Sequence, residues 1–80
     1  MNKHILLVMK WLNNKDSVTQ EELEKNKNEA YAANTHAAYE VYNAAAAADY
    51  DYVSQAVYWL GKYFETTGED KEEYLKELEK

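Results

Sequence analysis

His36 and Glu40 stand one helical turn apart, close enough on a shared face to hold a divalent ion together. Two ligands fall short of the donor set that a zinc site requires. A helical di-iron bundle needs paired Glu-x-x-His motifs, and the sequence contains none. Nucleophilic chemistry fares no better. Ser17 and Ser54 are the two serines, Ser17 reads as a turn or capping residue, and no His-Asp pair is suggested beside either. His4 lies far from His36 in the chain and reads as a surface residue rather than a general base. Fifteen acids offer many carboxylate pairs by chance, none with a specific spacing, and no glycine-rich loop could cradle a phosphate. The expectation is a non-enzymatic protein without metal or cofactor.

The residues that remain are tyrosines and acids. Eight tyrosines in 80 residues is a large excess, and tyrosine joins apolar area to a hydroxyl that tolerates water. On a helix advancing about 100° per residue, Tyr31, Tyr39, Tyr42 and Tyr50 collect on one surface. With Glu40, Asp49 and Asp51 they form the candidate partner-binding residues, because tyrosine is enriched at binding hot spots. The same stripe also suits the boundary of the core, since the first and last helices need a surface to pack on. A second surface carries Ala30, Asn34, Ala37, Val41, Ala44 and Ala48, spaced by fours and threes as a heptad seam of small residues. Such a seam suits close packing of two helices within the chain, or alternatively a homodimer.

Helices must carry these surfaces. The sequence has no proline, two glycines (Gly61 and Gly68) and eleven alanines, the residue with the highest helix propensity. Ile5, Val8, Met9 and Leu12, broadened by Leu7 and Trp11, mark a first helix over 3–12. Asn13 and Asn14 end it. Thr19 with Glu22 forms a capping box, and Val18 can staple onto Leu23, so a second helix starts at Gln20. Nothing then breaks it until Asp49-Tyr50-Asp51-Tyr52. Val53, Ala56, Val57, Leu60 and Phe64 mark a third helix over about 52–66, with Gly68 as its stop. Asp70 and Glu73 cap a short last helix in which Tyr74, Leu75 and Leu78 share a face. The expected fold is all-α: a small single-domain bundle built on a long Ala-rich helix, packed as a hairpin against a second helix, with short terminal helices.

Charge sets further limits. The net charge is −6, and every one of the nine bases is lysine. That argues against direct nucleic-acid binding. Through Lys15 there are three lysines and no acids, so the remainder carries a net −9. An acidic helical surface steers toward basic partners and could imitate the phosphates of DNA. Cysteine is absent, which removes disulfides and thiolate chemistry. The apolar run Ile5–Met9 is too short for a secretory core, and Val41–Ala48 falls well below the roughly 20 residues that span a bilayer. A cytoplasmic protein without membrane attachment is expected.

Two stretches carry a family likeness. Met1-Asn2-Lys3 through Trp11-Leu12 with Ser17-Val18-Thr19-Gln20-Glu21-Glu22-Leu23, and Tyr58-Trp59-Leu60-Gly61-Lys62-Tyr63-Phe64-Glu65-Thr66-Thr67-Gly68-Glu69-Asp70, resemble the ends of small acidic, Ala/Tyr-rich accessory proteins of tailed bacteriophages. Those proteins have a variable Ala/Tyr/Asp-rich helical middle, matched by Ala30–Tyr52. The resemblance implies a class of role, a protein that binds and disables a host factor such as a defence protein, and supplies no site residue. Taken together, the expectation is a protein–protein interaction module acting on a host protein in the host cytoplasm. A self-assembling structural protein and a DNA mimic are the alternatives.

Overall fold

The computed structural model describes the backbone of residues 1–30, 36–47 and 50–80, and the side chains of 1–30, 38–46 and 53–80. Its described residues form five α-helices: α1 (Lys3–Asn13), α2 (Gln20–Ala30), α3 (His36–Ala47), α4 (Tyr50–Thr67) and α5 (Lys71–Leu78), with one 3-10 turn, Lys15–Ser17, after α1. The protein is an all-α helical bundle. No helix among the described residues is long and apolar enough to cross a membrane.

Local chemistry sets the helix ends. Asn2 caps α1, its Oδ1 accepting from the amides of His4 at 2.9 Å and Ile5 at 3.3 Å. Ser17 lies in the turn that follows, its hydroxyl donating to the carbonyls of Asn14 at 2.7 Å and Lys10 at 3.3 Å. The capping box opening α2 is reciprocal: the Glu22 amide donates to Thr19 Oγ1 at 3.1 Å and the Thr19 amide to Glu22 Oε1 at 3.2 Å. Val18 and Leu23 are both buried in the core. Gly68, at φ 74°, terminates α4 in the left-handed region that a side chain disfavours, and its amide donates to the Phe64 carbonyl at 2.9 Å. Asp70 caps α5 by accepting from the Glu72 amide at 2.9 Å.

The long helix expected from Gln20 onward is instead two. Gln20 Nε2 donates to the carbonyl of Ala46, whereas one straight helix would separate those residues by about 39 Å at 1.5 Å per residue. Helices α2 and α3 therefore lie side by side. The physical reason is burial. Helix α2 buries Leu23, Asn26 and Ala30, and pairing with α3 places Ala30 in the same core as Ala38, Val41 and Ala45. An isolated rod would leave those faces in water. The expected hairpin survives between α3 and α4, the most extensive helix pair among the described residues. It rests on small side chains: Ala38, Ala44, Ala45 and Ala56 are all buried.

Helix α1 lies against both α2 and α3 and also touches α5. Its buried side chains are Ile5, Val8, Met9 and Trp11. Helix α5 contributes one buried side chain, Tyr74.

Candidate functional site

Of the four tyrosines of the expected surface, Tyr42 is turned into the core. Tyr42 is 1% exposed, its ring edge-on to His4 with centroids 6.0 Å apart and its hydroxyl 3.5 Å from Asn2 Oδ1. It is a core residue, and this corrects its assignment to a partner surface. Its position follows from α3 being a separate rod that packs on the start of α1. Tyr39 and Glu40 are half-buried on α3. Tyr31 and Asp49 lie outside the described residues, as do the side chains of Tyr50 and Asp51 in α4 and of His36 in α3.

The described residues of the small-residue seam are spent inside the chain. Ala30, Val41 and Ala44 are buried, on two different helices, so a second copy could not pair along them without opening the core. Asn34 and Ala48 lie outside the described residues, as does the side chain of Ala37.

The tyrosines that sequence reasoning left out are the ones the fold gathers. Tyr63 from α4 and Tyr74 from α5 both donate hydroxyl hydrogen bonds to Glu69, one to each carboxylate oxygen. The Asn2 amide donates to the Tyr74 hydroxyl at 2.8 Å, tying the start of α1 to this cluster. Burial alone would raise the Glu69 pKa. The two hydroxyls, helped by the charged N-terminus, outweigh it and hold the carboxyl below its ordinary value. Burial pushes Tyr42 up to about 12, partly offset by its bond to Asn2. Burial and the neighbouring Glu69 also raise Tyr63 and Tyr74. With a tyrosine hydroxyl on each oxygen, Glu69 is arranged to fix three chain segments together rather than to abstract a proton.

A second polar link joins α1 to α2. Asn26 Nδ2 donates to the His4 carbonyl at 3.1 Å, which orients the amide so that its Oδ1 accepts from His4 Nδ1–H at 2.6 Å. The buried Asn26 is thereby satisfied.

The feature left facing solvent is apolar. Val57 is 56% exposed, Tyr58 56% and Leu75 38%. Between α1, α4 and α5 runs a groove of about 540 Å³, with Leu60, Gly61, Phe64, Leu75 and Leu78 in its lining. A Cβ added at Gly61 would meet nothing within 4 Å, so the glycine opens the groove without any packing need for it. Such a gap in an otherwise apolar helix face was the available signal in the sequence, since an isolated glycine within a helix costs about 1 kcal/mol relative to alanine.

Among the described residues no group of three or more potential metal ligands occurs. Comparison with protein-family models, curated proteins and solved structures finds no match to this chain.

Proposed function

We propose that the protein is a non-enzymatic interaction module that receives the apolar face of a partner protein's helix in the groove between α1, α4 and α5. The observation that carries this reading is the open groove itself, with Val57 and Leu75 exposed and Gly61 unfilled. Apolar side chains presented at helical spacing are a recurring ligand for such grooves. The likeness of the chain's two ends to phage accessory proteins supports the narrower role of a phage-encoded inhibitor of a host defence protein. The contact residues are then Val57, Gly61 and Leu75 rather than the α3 tyrosines.

A glycine series tests this. Gly61→Ala removes the helix penalty and leaves the groove open. It should raise stability by about 0.5–1 kcal/mol, a rise in Tm of about 2–8 °C for a domain of this size. Gly61→Trp should keep the fold and fill the groove. Affinity capture from a bacterial lysate should retain one stoichiometric protein with the wild type and Gly61→Ala and lose it with Gly61→Trp. Equal retention by the tryptophan variant, with unchanged helical circular dichroism, would move the contact surface elsewhere.

A further inference from the structure

Resting on that docking reading, we infer that the partner helix is acidic: the groove takes an amphipathic helix whose apolar stripe is flanked by carboxylates. Leu78 borders two hollows. This residue lines the apolar groove and also a second trough of about 310 Å³ between α1 and α5, where Lys3, Leu6, Leu7, Lys10, Glu77 and Lys80 meet. Both hollows have Leu78 in their linings, so a helix passing over Leu78 would meet the two as one track, with apolar side chains contributed by each.

The charge along this track is opposite to that of the protein. Lys71 is the charged residue lining the first part; Lys3, Lys10 and Lys80 outnumber Glu77 in the second. The track therefore gathers four of the nine lysines and one of the fifteen acids. Glu77 is itself neutralised by Lys80 at 3.1 Å. Lys3, Lys10 and Lys71 have no acidic partner among the described residues, whereas Lys25 and Lys62 are paired with acids on their own helices. A protein at −6 repels an acidic partner over most of its surface and attracts it along this strip, which selects both partner and orientation. A basic helix would be drawn instead to Glu21, Glu22 and Glu24 at the start of α2, none of which lines the groove or the trough.

Concavity separates this occupant from a lipid surface that would share its sign. A bilayer offers a broad anionic plane and would meet lysines on a flat or convex face, whereas here Leu60, Phe64 and Leu78 line a groove.

The test measures fluorescence anisotropy of two labelled peptides binding the full chain. They have the same leucines at helical spacing, with glutamate between them in one and lysine in the other. The glutamate peptide should bind roughly tenfold to a hundredfold more tightly at low salt, the span expected from several exposed ion pairs. The difference should shrink as salt rises. Lys10→Glu combined with Lys71→Glu should reverse the preference, and Gly61→Trp should abolish binding of both peptides. Equal or better binding of the lysine peptide, still blocked by Gly61→Trp, overturns the acidic preference and leaves the docking groove standing. No binding of either peptide, or binding indifferent to Gly61→Trp, overturns both. Phosphatidylserine vesicles that bind the protein and displace the peptide would overturn the inference in favour of a lipid surface.

Discussion

Raising the pH from 10 to 12 should unfold the protein, with the loss of helical circular dichroism coinciding with the appearance of tyrosinate absorbance. Tyr42, Tyr63 and Tyr74 all have folded-state pKa values above the ordinary 10.0 of tyrosine. In each case burial of the hydroxyl is the leading cause, and for Tyr63 and Tyr74 the adjacent Glu69 carboxylate adds to it. A group whose folded pKa is raised gives stability that is complete below its unfolded pKa and is lost as pH rises toward the folded value, because the native state then holds more protons than the unfolded state. For Tyr42, raised to about 12, the loss is about 2 kcal/mol by pH 12. A domain of this length has a total stability of about 4–12 kcal/mol. Tyr42 alone therefore removes a large fraction, and the other two act in the same direction over the same range.

The acid limb should be shallower. Glu69 has a lowered pKa, so its contribution is present above its unfolded value near 4.5 and is lost as pH falls through the folded value. Tyr42→Phe retains the buried ring and removes one titrating hydroxyl, so it should move the alkaline midpoint upward. Independent titration of every tyrosine with helicity retained at pH 12 would refute the role assigned to the cluster.

Features set by near neighbours were legible in the sequence. Thr19 with Glu22, Gly68 and Asp70 define helix ends through contacts within a few residues, and the structure uses each of them. The apolar stripe of α1 was equally readable because its spacing is a property of one helix. The division between α2 and α3 was not. Neither glycine nor proline marks it, and alanine propensity favours continuing the helix. What decides it is tertiary: the burial of Leu23 and Ala30 against α1 and α3, which no propensity reports. Once the rod divides, a wheel drawn across both halves misplaces everything on the second. Tyr42 illustrates the consequence, being turned onto Asn2 and His4 rather than outward.

The groove was hidden for a related reason. Val57 and Leu75 continue the apolar spacing of Leu60, Phe64 and Leu78, so by pattern alone they belong to the core. Only the relative placement of α1, α4 and α5 shows that their row extends past the point where another helix covers it. The lysine-rich border arises in the same way, from residues at the two ends of the sequence, Lys3 and Lys10 against Lys71 and Lys80.

Tyr74→Ala should be the most damaging single substitution, and it should act on the groove as well as on stability. Tyr74 is 1% exposed and is the one buried side chain of α5. Its ring meets Phe64 edge-on with centroids 5.2 Å apart, and its hydroxyl connects Asn2 to Glu69. Truncating a buried aromatic ring to alanine costs about 3–5 kcal/mol. Loss of the hydroxyl adds the penalty of leaving Glu69 with one tyrosine donor instead of two, about 1–3 kcal/mol, the effect expected of Tyr74→Phe alone. Helix α5 is eight residues long and has little stability of its own, so without the Tyr74 anchor it should detach. Leu75, Leu78 and Lys71 would go with it, dismantling one wall of the groove. Chemical denaturation should show a small loss for Tyr74→Phe with groove binding preserved, and a large loss for Tyr74→Ala with binding abolished. Amide hydrogen exchange at pH 7 should report lost protection over Lys71–Leu78 before any over α3. Retention of α5 protection in Tyr74→Ala would mean that Leu78 and the cap at Asp70 suffice to hold the helix, and would remove Tyr74 as its anchor.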